Sequence, residues 1–171
     1  MTSELLDRAL IEEACKKSGL IWVRGTGASA ARALWHVWHE GAVCLVGDGP
    51  GEQPLEGLVD GGTAEVTVRS KDKGGRLVTF PATVSELPSG SEEWEAAVAE
   101  LKGKRLNAPD GEQMPARWAR ECRVLRLAPA GSGVPLPDGS LAERPVATPA
   151  TTRRPVPAGL PKLLAKRRKG R

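Results

Sequence analysis

The sequence predicts an α+β fold dominated by one antiparallel sheet or small barrel. Three observations carry this. Two amphipathic helical segments bracket a run of short strands with period-two alternation. Glycine-containing turns join those strands at hairpin spacing. Both signals stop near residue 129, where eight of the fourteen prolines begin to accumulate.

Residues 4–18 read as the first helix. Ser3 stands at its N-cap position and Gly19 just past its end. Leu6, Leu10 and Ala14 recur every four residues, flanked by Leu5 and Ala9, and give the helix one apolar face. Lys16 and Lys17 close it favourably against the helix dipole.

Strands follow. Leu20 to Arg24 is short and apolar, and 25–30 is a Gly/Ala/Ser loop. Residues 32–39 read Arg-Ala-Leu-Trp-His-Val-Trp-His, apolar on both faces and so expected to be covered on both. Glu40-Gly41 predicts a tight hairpin turn into Ala42 to Gly47. Residues 47–62 read as a loop with a short helical turn at 53–58. Thr63 to Ser70 alternates cleanly and turns at Gly74-Gly75 into a long strand, 77–87. Pro81 inside that strand implies an edge position or a bulge.

Ser91 caps a second helix whose stripe is Trp94, Val98 and Leu101. A brief helical piece at 115–120 leads to a last strand, 122–127. Residues 1–128 are therefore expected to fold as one domain. Residues 129–171 are expected to be a disordered Pro-rich basic tail.

Charge divides the same way. The chain of 171 residues has a formal net charge of +4. Residues 129–171 hold nine Lys/Arg against two Asp/Glu, hence +7, and residues 1–128 hold sixteen against nineteen, hence −3. The basic character belongs to the tail, where nonspecific contact with nucleic acid is one use and a solubilising extension the plainer one. No apolar run reaches membrane-span length, and the N-terminus carries no signal-peptide pattern. Cys15, Cys44 and Cys122 are scattered in apolar contexts without a Cys-x-x-Cys pair. A reducing, cytoplasmic location with buried thiols is expected, and no metal site.

Few residues point to chemistry. His36 and His39 lie three apart, which on a strand sends them to opposite faces. His36 is either a rim histidine or a hydrogen-bonding partner for a flat ligand. Arg32 opens a strand that looks covered, so its charge needs a partner, either a protein carboxylate or a ligand phosphate. The turn 69–76 concentrates Arg69, Lys71, Lys73 and Arg76 in eight residues, as a charged hairpin tip or an anion contact. No nucleophile lies in a strained elbow, and the Gly-rich stretches lack the continuation of a phosphate loop.

In order and spacing, residues 3–128 resemble the flavin-binding split-barrel superfamily, that of pyridoxamine 5'-phosphate oxidase and its small actinobacterial relatives. The match rests on the first helix, Leu20-Ile21-Trp22-Val23, Arg32 to Val37, the return Ala42 to Gly47, the loop Glu52 to Leu58 and the two following strands. The resemblance implies a six-stranded split β-barrel with flanking helices, assembled as a homodimer. It implies that Arg32 meets the cofactor phosphate and that Leu34, Trp35 and His36 lie along the isoalloxazine. In the family an Arg-Lys pair follows the next strand, whereas here that neighbourhood reads Glu52-Gln53. Gln53 is an expected cofactor contact, and Lys71, Lys73 or Arg76 would replace the missing cations if the hairpin tip reaches the site. The functional expectation is an oxidoreductase using FMN or a deazaflavin coenzyme. The alternative is a cofactor-free split-barrel binding protein. The sequence names no catalytic residue and no substrate.

Overall fold

The structure, a computed structural model, describes residues 2–69 and 76–131. Past residue 131 the expected tail lies outside the described residues. The described residues form three α-helices and seven strands: α1 (Thr2–Lys17), β1 (Leu20–Gly25), β2 (Arg32–Trp35), β3 (Val37–His39), β4 (Ala42–Gly47), β5 (Thr63–Arg69), β6 (Arg76–Glu86), α2 (Glu92–Lys104), α3 (Met114–Glu121) and β7 (Arg123–Pro129).

All pairings are antiparallel, in the order β2-β1-β5-β6-β7-β4-β3. β2 and β3 are the two ends of this sheet, yet only His36 separates them in the chain. The segment 32–39 is therefore one extended run that leaves β1 at Trp35 and joins β4 at Val37. This exchange closes the sheet into a barrel. It also makes seven strands of what the sequence reads as six, because one run serves both sheet ends.

Alternation fixes what fills the barrel. Ile21, Val23, Leu34, Val43, Leu45, Val66, Val68, Phe80, Val84, Leu125 and Leu127 point inward, all buried. Leu55 and Leu58 from the loop after β4, and Ile11, Ala14 and Cys15 of α1, join the same cluster. A second cluster lies outside the barrel, where Trp94, Ala97, Val98 and Leu101 of α2 and Met114 and Trp118 of α3 cover Val37, Cys44, Val46 and Val124. β4 is thus buried on both faces, every residue of it.

Local chemistry sets the connections. Glu40 (φ 47°) and Gly41 (φ 76°) both take left-handed backbone in the two-residue turn between β3 and β4, as a primed turn requires. The Ser91 hydroxyl accepts from the Trp94 N–H at 3.2 Å and caps α2. Pro81 faces the β7 side of β6, where its carbonyl accepts from Ala130 N–H at 2.8 Å as β7 ends. The first half of β6 has only β5 beside it among the described residues. Proline sits there at a local edge, where its missing N–H breaks no ladder.

α1 departs from its predicted face. Ile11, Ala14 and Cys15 are buried, whereas Leu5, Leu6 and Leu10 are exposed. Only the second half of the helix reaches the barrel, and its docking angle selects a face one residue round from the apolar stripe.

Candidate functional site

The predicted contacts divide among separate places. Leu34 and His36 point into the barrel end. His36 is 2% exposed, and its Nε2 lies 2.9 Å from the Cys15 carbonyl. The carbonyl only accepts, so Nε2 carries the proton and donates it. Burial pushes the imidazole down to about 4. Arg32 lies on the exposed rim rather than under cover. Its Nε donates to Glu56 Oε2 at 2.7 Å, with both side chains more than half exposed. Its partner is therefore a protein carboxylate. Arg76 opens β6 opposite Arg69, while Lys71 and Lys73 lie outside the described residues.

Trp35 and Gln53 do meet, at the point where β2 gives way to β3. The β3–β4 register runs His39–Ala42, Trp38–Val43, Val37–Cys44. Continued, it would set Trp35 opposite Val46. The Gln53 carboxamide occupies that position instead. Gln53 Oε1 accepts from Trp35 N–H at 2.9 Å, and Nε2 donates to the carbonyls of Trp35 at 2.9 Å and Val46 at 3.1 Å. One side chain thus supplies the backbone pairing of a missing strand and bridges the gap in the barrel wall.

Beside this bridge is a charged cluster that sequence reasoning missed. The Glu52 side chain is 1% exposed. Its Oε1 accepts from Arg117 Nη2 at 3.2 Å and from Trp118 Nε1 at 3.3 Å, and its Oε2 lies 3.5 Å from Arg105 Nε. Arg117 also donates to Asp110 at 2.6 Å, which raises the guanidinium pKa and lowers the carboxyl pKa. The Arg105 guanidinium stands 5.9 Å from the Trp35 ring, and Trp118 packs at 6.5 Å from the same ring. These cations come from α2 and α3, more than fifty residues beyond Glu52. No local motif could announce them.

A second surface lies on the outer side of β1, β2 and β5. The helices pack on β3, β4, β6 and β7. On the outer side of β1, β2 and β5, Leu20, Ala33 and Glu65 are exposed, and Trp22 and Arg24 are half-buried. The Arg69 guanidinium lies 4.7 Å from the centroid of the Trp22 ring, a cation–π contact. The signal for this surface was present in the sequence, since Trp22 and Arg24 alternate with the apolar Ile21 and Val23 along one strand.

Burial pushes the Cys15 thiol up to about 12 and Cys44 to about 11, well away from a reactive thiolate. Among the described residues no group of His, Cys, Asp and Glu is arranged to hold a metal ion. None of their helices is long and apolar enough to cross a membrane.

Neither a family model nor any curated protein matches this sequence. Solved structures match by shape. A conserved hypothetical protein of Mycobacterium tuberculosis superposes with a TM-score of 0.56 at 11% identity, covering 88% of this chain and 98% of its own. The heme storage protein HutZ of Vibrio cholerae superposes at 0.53 with 14% identity, over 72% of this chain and 90% of its own. The fold is a split barrel. Among the described residues, several of those expected to contact a flavin have protein partners. Arg32 is tied to Glu56, His36 to Cys15 and Gln53 to the wall of the barrel. The Trp22–Arg69 contact sets an aromatic ring beside a cation on the outer side of β1 and β5.

Proposed function

We propose that this split barrel binds a planar, anionic cofactor of the flavin or deazaflavin class on the outer face of β2, β1 and β5, and acts as an oxidoreductase. The observation that carries the reading is the Trp22 ring, stacked by Arg69 on the outer side of β1 and β5. Trp22 would stack on the ring system, and Arg24 and Arg69 would oppose its phosphate charge. The cofactor would supply hydride transfer, with the protein orienting it. A homodimer belongs to this reading. Leu5, Leu6 and Leu10 of α1 and Leu20 of β1 are each at least half exposed, an apolar strip that a second copy would cover.

The purified protein should show a flavin-type visible spectrum, or bind FMN or the deazaflavin at micromolar concentration when titrated. Trp22→Ala should weaken binding at least tenfold. Light scattering should report twice the chain mass. No micromolar binding of either cofactor would end the proposal. The second reading is a cofactor-free binding module. It is favoured by the engagement of Arg32, His36 and Gln53 with protein partners, and it predicts a colourless protein.

A further inference from the structure

The Glu52 carboxylate is held as a bound anion would be held. Two guanidinium groups and an indole N–H converge on it, Arg105 from the C-terminal cap of α2 and Arg117 and Trp118 from α3. Few protein carboxylates are this deeply buried unless fully paired. Glu52 is not fully paired. Its Oε2 is buried without a hydrogen bond, and so is the facing Arg105 Nε at 3.5 Å. The site therefore offers a donor that its own carboxylate does not use well.

Access is available from the cation side. Arg105 and Arg117 retain 24% and 19% side-chain exposure, although Glu52 has 1%. The site is also lined by aromatic surface, since Trp35 and Trp118 pack beside the two arginines. Glu52 itself stands on a tight turn. Its N–H bonds the Gly49 carbonyl, and Gly51 next to it has left-handed backbone. The following anchor is separate, because Leu55 is buried in the barrel core. Gln53, the next residue, is likewise anchored by its own bonds to Trp35 and Val46.

We propose that this pocket is an anion site occupied by an internal substitute. Glu52 exchanges with an external planar aromatic oxyanion, a small aromatic carboxylate or phosphate ester. The incoming oxygens would take the N–H groups of Arg105, Arg117 and Trp118, and the ring would lie against Trp35. Asp110 keeps its bond to Arg117 in both states, so α3 stays in place. Trp35 shares the outer side of β2 with Ala33, the register partner of Trp22, but none of the groups invoked here belongs to the Trp22–Arg69 contact, so the two proposals are tested separately.

The test titrates benzoate and phenyl phosphate, with phenol as the uncharged control, into the wild-type protein and into Glu52→Gln. The readouts are the indole N–H resonances and Trp fluorescence. Glu52→Gln keeps the shape and removes the competing charge, so the oxyanions should bind it at least tenfold more tightly than wild type. Arg105→Gln should abolish that gain. Saturable, weaker binding to wild type that shifts an indole N–H resonance supports exchange, and this measurement stands even if a variant fails to fold. Equal affinity in wild type and Glu52→Gln, equal response to phenol, or no wild-type binding at any accessible concentration would each overturn the proposal.

Discussion

The Gln53 bridge makes a quantitative prediction. Gln53→Ala removes three hydrogen bonds at once and leaves the Trp35 N–H, the Trp35 carbonyl and the Val46 carbonyl without partners. An unpaired buried backbone group costs about 1–3 kcal/mol. These groups are partly buried, so the low end applies, and the sum is about 3 kcal/mol. For a domain of this size each kcal/mol lowers Tm by roughly 3–4 °C. Tm should therefore fall by about 10 °C, with a matching drop in the urea midpoint at unchanged slope. Gln53→Glu should do worse at neutral pH, because a carboxylate would face two carbonyl oxygens where the amide NH₂ now donates. A loss below about 1 kcal/mol in Gln53→Ala, with native near-ultraviolet dichroism, would refute the reasoning. It would mean that β2 and β4 can zip together across the gap without the amide.

Three further outcomes follow from the same geometry. Burial holds the folded His36 near 4, against about 6.5 in an unfolded chain. Between those values the unfolded state binds the proton and the folded state does not, so stability should fall as pH drops from about 6.5 to 4, by up to about 3 kcal/mol. His36→Gln, which still donates to Cys15, should flatten that slope, and an unchanged slope in denaturant titrations would remove His36 as its source. Gly47→Ala should destabilise by more than about 2 kcal/mol, since its Cβ would stand 2.2 Å from the Gln53 carbonyl oxygen and 2.8 Å from Leu55 Cγ; a Tm near wild type would show that the strap can shift at little cost. Glu56→Ala should change stability by about 0.5 kcal/mol or less, because an exposed ion pair is worth little. A larger loss in chemical denaturation would place Arg32 under more cover than its exposure indicates.

The parts legible in the sequence were those encoded by short-range pattern. Strand alternation gave β5, and Glu40-Gly41 gave its turn. Ser91 gave the start of α2, and Pro81 marked a local edge. What escaped depended on partners far along the chain. In residues 32–39 both faces are apolar, and nothing local says that the run changes neighbours at His36. Arg32 was read as covered because its strand looked two-sided, but it sits where that strand begins, at the rim. Glu52 and Gln53 were read against a family position for cations. The cations are present, but α2 and α3 deliver them from Arg105 and Arg117. The face of α1 was misjudged by one residue because only half the helix is docked.

The exchange of β2 for β3 at His36 also dictates the order in which this molecule can be made. β1 to β3 and the return into β4 pair with close neighbours, and β5 with β6 likewise. The remaining wall of the barrel is β7, which joins β4 to β6 from some eighty and forty residues away. A chain emerging from the ribosome would carry unpaired edges on β4 and on the second half of β6 until residues 123–129 arrive. Such a topology folds slowly, because its last pairing spans most of the domain. In that interval the core strand β4, apolar on both sides, is the segment most exposed to wrong pairing with another chain. Truncation before β7 should therefore yield aggregation rather than a smaller soluble barrel.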